Sequence, residues 1–103
     1  MASYVANVPI KSVSGTVTAG TPLYLETINF PFPMTVVAKP GASGTLLVEY
    51  SCTPNAAGLT TSATWLSWPS GTVSANTSDS LISPVAALRF TATTANGTYE
   101  VVS

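Results

Sequence analysis

Residues 86–102, AALRFTATTANGTYEVV, alternate apolar and polar side chains with the two-residue period of an extended chain. Asn96-Gly97 interrupts this alternation, and the pair is the strongest short signal for a hairpin turn because both residues tolerate a positive φ. The pattern and the turn agree with each other, so we expect a C-terminal hairpin inside the core of an all-β domain. Its apolar face would comprise Phe90, Ala92, Tyr99 and Val101.

The rest of the chain divides into strand-length runs separated by Gly, Pro and Asn clusters. Residues 53–62 read as a loop, and no stretch has a sustained helical period, so we expect essentially no helix. A spacing of about 8–12 residues between strands is typical of a sandwich or jelly roll. The expected strands cover residues 16–18, 23–30, 35–39, 45–51, 63–68, 72–75 and 80–83, followed by the hairpin.

We therefore predict one all-β domain over residues 1–103, a single β-sandwich or jelly-roll-like fold. About seven to nine short, mainly antiparallel strands would build it, with the hairpin at the C-terminal end. Residues 1–13 form an N-terminal arm or an edge strand in this prediction, because Pro9 cannot donate a hydrogen bond within a central strand.

The scarcity of charge limits the classes of partner. Only 7% of the residues are charged, against about 25% in a typical soluble domain. Three basic residues and a net charge of −1 exclude the clustered positive charge that nucleic-acid binding requires. No apolar run approaches the roughly 20 residues of a membrane-spanning helix. Such weak charge repulsion favours a protein that functions as part of an assembly, so we expect a homo-oligomer.

Catalytic and metal-binding side chains are few. The chain has no His and a single Cys, Cys52, which removes the commonest general base, the commonest metal ligand and any internal disulfide. Two of the four acidic residues would suffice for a glycosidase, but carboxylates on strands are rarely catalytic. We predict no enzyme activity and no cofactor. The lone Cys and the lack of a secretory signal indicate synthesis in a reducing compartment.

Aromatic residues are the candidates for partner contacts. Trp65 and Trp68 are three residues apart, so on one strand they would face opposite sides, one in the core and one at the surface. The surface Trp would stack on a sugar or a protein partner, or be covered by oligomer contacts. The same two interpretations, a partner contact or an oligomer contact, apply to the aromatic residues of Phe30-Pro31-Phe32-Pro33-Met34. We expect Arg89 to pair with Glu49 or Glu100 on a neighbouring strand. The candidate contact residues are Phe30, Phe32, Met34, Trp65, Trp68 and Arg89.

Residues 63–102, ATWLSWPSGTVSANTSDSLISPVAALRFTATTANGTYEVV, resemble small virion proteins of tailed bacteriophages. The shared sequence pattern is a Trp-containing strand, a Gly turn and a Ser/Thr/Asp-rich linker, followed by ALRF and a Gly turn before the C-terminal strand. The resemblance implies a head decoration or cement protein, a small β-sandwich that binds the outside of the phage head and stabilises it. The implied partners are the major capsid protein and copies of the chain itself, and the implied location is the virion. The alternative is a carbohydrate- or receptor-binding module of a phage tail or fibre.

Overall fold

The computed structural model describes residues 11–103, which form eight strands in two four-stranded antiparallel sheets. Sheet I has the order β1-β8-β3-β6 and sheet II the order β2-β7-β4-β5. The expected all-β sandwich is confirmed. The strands are β1 (Ser12–Val17), β2 (Leu23–Glu26), β3 (Met34–Lys39), β4 (Thr45–Ser51), β5 (Leu66–Val73), β6 (Thr77–Leu81), β7 (Ala87–Thr93) and β8 (Gly97–Val102).

The strand order is that of a jelly roll. β1 pairs with β8, β2 with β7, β3 with β6 and β4 with β5, so the chain forms a nested antiparallel ribbon. Two further pairings, β8 with β3 and β7 with β4, roll this ribbon into two facing sheets. Eight strands in this arrangement make the double-sheet jelly roll. β1, β6, β2 and β5 are then the four edge strands.

The expected C-terminal hairpin is wrong, although both of its strands exist. β7 belongs to sheet II and β8 to sheet I, so residues 94–96 carry the chain across the sandwich. Both edges of β8 are already occupied by β1 and β3, and both edges of β7 by β2 and β4. The positive φ occurs at Thr94, with a value of 76°, and neither Asn96 nor Gly97 has one.

Other boundaries differ in ways that prolines and packing explain. The strand expected at residues 23–30 ends at Glu26, because the N–H of Phe30 donates to the Thr27 carbonyl and turns the chain. β5 begins after Trp65 and continues through Pro69, which an edge strand tolerates at a bulge.

The expected loop at residues 53–62 contains one helical turn, α1 (Ala56–Leu59), followed by a 3₁₀ turn at Thr60–Ser62. The strand expected at residues 72–75 is the end of β5, and the strand expected at 80–83 is displaced to β6. Most of the proposed arm at residues 1–13 lies outside the described residues, and the part inside begins edge strand β1.

An aromatic stack joins the two sheets at the centre of the sandwich. The rings of Phe90 from sheet II and Tyr99 from sheet I stack with centroids 4.5 Å apart and planes inclined by 24°. Gly15 and Ala38 are the neighbours of Tyr99 on adjacent strands, and both are small. A Cβ at Gly15 would lie 3.1 Å from the Tyr99 ring, so the large side chain fits because its neighbours leave room for it.

The end of the sandwich that holds residues 94–96 is interlocked through backbone contacts. The Asn96 side chain accepts a hydrogen bond from the Ala19 N–H, 2.8 Å away. Gly41 packs against the Asn96 carbonyl so closely that any Cβ at this position would overlap the oxygen. The connections β1–β2, β3–β4 and β7–β8 therefore constrain one another.

Gly41→Ala should destabilise the fold because the added methyl group meets backbone, which cannot rotate away. The expected loss in the free energy of unfolding is about 1–3 kcal/mol, measured by denaturant titration. Ala42→Ser, at the exposed neighbouring position, is the matched control and should change stability by less than about 0.5 kcal/mol. Equal stability of the two variants would contradict the interlock.

Stability at alkaline pH should depend on Tyr99. Burial raises the pKa of the Tyr99 hydroxyl above its ordinary value of 10.0, because desolvation penalises the phenolate. Above pH 10.0 the unfolded chain therefore releases this proton while the folded chain retains it, and stability falls until the pH passes the folded-state pKa. In denaturant titrations over this range, the stability advantage of the wild type over Tyr99→Phe should shrink as pH rises. A pH-independent difference between the two proteins would contradict this.

Candidate interaction surface

Alternating strand direction divides the connections between the two ends of the sandwich. The β1–β2, β3–β4, β5–β6 and β7–β8 connections lie at one end, and the β2–β3, β4–β5 and β6–β7 connections lie at the other. Val17 pairs with Gly97 at the first end, so the start of β1 and the end of β8, where Ser12 pairs with Val102, lie at the second end. The two ends can therefore be compared as surfaces.

All five large hydrophobic side chains that are exposed in residues 11–103 lie at this second end, which we call the apolar end. Two of them have most of their surface in solvent, Ile28 with 71% exposed and Ile82 with 77%. Ile28 lies in the β2–β3 connection and Ile82 in the β6–β7 connection. The full set is Ile28, Leu59, Leu66, Ile82 and Val102.

The opposite end has a different character. Its connections are residues 18–22, 40–44, 74–76 and 94–96, and they consist of Thr, Ser, Asn, Gly, Ala and Pro. We call this the polar end. Scattered apolar residues on a surface need no explanation, whereas a concentration at one end makes the apolar end the candidate interaction surface.

Two recesses border the exposed isoleucines. One has a volume of about 320 Å³ and opens beside Ile82, with apolar lining from Tyr50, Leu81 and Val85. A smaller one, of about 120 Å³, lies between Ile28 and the α1 turn, with Ala56 and Ala86 in its wall. The apolar end thus has ridges with concavities beside them, the relief that a partner's side chains can enter.

Three of the expected contact residues lie in the core. Phe30, Met34 and Trp68 are 7%, 1% and 2% exposed, so their side chains have almost no surface to offer a partner. The turn at Thr27 directs Phe30 inwards, and β3 begins at Met34 on its inner face. Phe32 is half-buried against the same core.

The other two expected contact residues meet on the outer face of sheet II. The Arg89 guanidinium lies 4.8 Å from the centroid of the Trp65 ring. It also forms an ion pair with Glu49, with 2.8 Å between Nη2 and Oε1, as expected for one of the two acids considered. Tyr24 packs on Trp65 with ring centroids 5.6 Å apart, and the Trp65 indole donates to the Thr60 carbonyl. Through Trp65, these contacts hold the 3₁₀ turn that follows α1 against sheet II.

The acidic residues of strands β4, β6 and β8 are engaged in structural contacts. Glu100 pairs with Lys39 at 2.6 Å on the outer face of sheet I, whereas Glu49 lies on the outer face of sheet II. Asp79 accepts a hydrogen bond from the Ser70 hydroxyl, 2.7 Å away, across the edge of the sandwich. Glu49 and Glu100 therefore cannot converge on one substrate. Residues 11–103 contain no cluster of potential metal ligands and no helix of the length and apolarity needed to cross a membrane.

The apolar end was not among the surfaces predicted from the sequence. Ile28 lies between Thr27 and Asn29, and Ile82 lies just before Ser83-Pro84. Both are isolated branched residues inside turn-forming sequence. Turns lie at the surface, so a large apolar residue within a turn sequence is a signal for exposed apolar surface.

Comparison of this chain with protein-family models, with curated proteins and with solved structures finds no match.

The two tryptophans should differ in their contributions to stability. Each indole donates to a carbonyl at 2.6 Å, Trp65 to Thr60 and Trp68 to Gly71, but only Trp68 is in the core. Trp65→Phe should cost about 1 kcal/mol, chiefly the lost hydrogen bond. Trp68→Phe adds a cavity and should cost more than about 2 kcal/mol. Denaturant titration measures both, and a larger loss for Trp65→Phe would contradict the assignment.

Proposed function

We propose that this protein is a non-enzymatic structural protein of a virus particle, a decoration or cement protein that binds the outside of a phage head. Its partner is the major capsid protein, which it contacts through the apolar end. The observation that carries this proposal is the concentration of all five exposed large hydrophobic side chains of residues 11–103 at one end. Burying a side chain of this size against a partner contributes about 1.5–3 kcal/mol.

The polarity of the rest of the surface supports the same function. The protein has seven charged residues among 103, and the described strands carry mainly Ser and Thr on their outer faces. A weakly charged surface does little to keep neighbouring copies apart. Symmetry then repeats each contact many times, so modest individual contacts give strong retention on a shell.

The jelly roll is compatible with this function and does not select it, because viral capsid proteins and lectins both use the architecture. The alternative, a carbohydrate- or receptor-binding tail module, has less support. A sugar-stacking site needs an aromatic ring with an open face. Arg89 lies over the Trp65 ring, Tyr24 packs beside it, and Trp68 is buried.

A mass-spectrometric inventory of gradient-purified particles tests the proposal directly. The protein should be present at a fixed ratio to the major capsid protein and should remain with the heads when tails are separated. Its absence from purified particles would refute a virion role. Its presence only in the tail fraction would favour the carbohydrate- or receptor-binding tail module instead.

Charge placed at the apolar end should prevent incorporation. Ile28→Asp/Ile82→Asp replaces the two most exposed apolar residues, and we expect at least about a tenfold fall in copies per particle. Ala42→Asp/Ala75→Asp adds the same charge at exposed positions of the polar end and should incorporate like the wild type. Both should keep the wild-type melting temperature. Equal losses from both variants would show that net charge, and not this surface, controls incorporation.

A further inference from the structure

The four edge strands differ in how well they are protected from pairing with another chain. Natural sheets blunt their edges with charge, proline, bulges or short length. β2 has only four residues and ends at Glu26, β5 is bulged at Pro69, and β6 carries Asp79. β1, SVSGTV, has six residues with neither charge nor proline, and no described residue pairs with its outer edge.

The two long sides of the sandwich, β1/β2 and β5/β6, also differ in how the edges of the two sheets are joined and covered. On the β5/β6 side, the Ser70–Asp79 hydrogen bond links the two sheets, and Trp68 of β5 is buried in the core. On the β1/β2 side, three apolar residues of the core remain partly exposed: Val13, Leu23 and Leu25. The unprotected strand edge and three of the five partly exposed apolar residues that pack on the core therefore lie on one side, and the other two are Phe32 and Tyr50.

We propose that this side is a dimer interface, in which β1 pairs antiparallel with β1 of a second copy about a two-fold axis at Gly15. The inner face of β1 carries Val13, Gly15 and Val17, and its outer face carries Ser12, Ser14 and Thr16. A two-fold axis at Gly15 places Val13 opposite the partner's Val17 and Ser14 opposite the partner's Thr16. Every directly opposed pair then joins side chains of the same face.

A second copy fits this edge by its own chemistry. The strand pairs with itself without opposing like charges, because Ser12–Val17 contains none. The two Lys11 residues lie at opposite ends of the paired ribbon. Glycine faces glycine at the axis, where the Tyr99 ring already occupies the inner side of Gly15. The result is one continuous eight-stranded sheet built from the two copies of sheet I, with closed two-fold symmetry.

The two-fold axis also directs the two apolar ends away from each other, so that one dimer carries a contact surface at each extremity. A dimer whose strands run along the surface of a shell would then meet one capsid site at each extremity. That consequence rests on the proposed function, whereas the dimer is a property of the isolated chain and is tested without any particle.

Sedimentation and light scattering on the full chain test the interface with three matched double variants. Ser14→Lys/Thr16→Lys places lysine opposite lysine in both symmetry-related pairs and should raise the dimer dissociation constant at least about tenfold. Ser14→Lys/Thr16→Glu places lysine opposite glutamate and should restore dimerisation. Ser78→Lys/Ser80→Lys adds the same charges to exposed positions of β6, at the other edge of sheet I, and should dimerise like the wild type.

A monomeric wild type, an oligomer that the double-lysine variant leaves intact, or a lysine–glutamate variant as weak as the double-lysine variant would each overturn the proposal. Amide hydrogen exchange on the wild type gives a second measurement that needs no variant. The amides of Ser12–Val17 that point away from β8 should become at least about tenfold better protected as concentration rises through the dissociation constant, while amides of Thr77–Leu81 should not. Concentration-independent exchange in β1 would equally overturn it.

Discussion

The contact between Phe90 and Tyr99 is the interaction on which the sandwich depends. Each ring comes from a central strand of its sheet, and their stacking fixes how far apart the two sheets lie. Tyr99 can occupy this place only because Gly15 and Ala38 flank it on the neighbouring strands. A large residue with small neighbours thus aligns β1, β8 and β3 under β7, and the remaining core fills in around that centre.

The sequence was sufficient to predict the fold class and most strands, because the two-residue period is a local property. β4 begins and ends where the alternation does, at Thr45 and Ser51. Whether β7 pairs with β8 in a hairpin or the chain crosses to the other sheet could not be predicted in the same way. A hairpin and a crossing between sheets both bury Phe90, Ala92, Tyr99 and Val101, so the pattern of burial does not distinguish them. The choice depends on β1 and β3, which are distant in sequence and already occupy the edges of β8.

The candidate surface was less predictable than the fold, for a physical reason. Aromatic residues between prolines suggested exposure at Phe30, yet one hydrogen bond from its N–H to Thr27 turns the chain towards the core. Arg89 and Glu49 were correctly considered together, because residues opposite each other on adjacent strands have few other partners within reach. The apolar end depends on which connections share an end of the sandwich. That is a consequence of topology, which no local pattern contains.

The β5–β6 connection differs from its neighbours at the polar end in a way that has a practical use. The glycines at 41 and 44 lock the β3–β4 connection against the β7–β8 connection. Ser74, Ala75 and Asn76 are all exposed, and they join two edge strands rather than central ones. Foreign peptide spliced into this connection would emerge on the side remote from Ile28 and Ile82. The scaffold therefore has a natural insertion point for displaying an epitope or a fluorescent label.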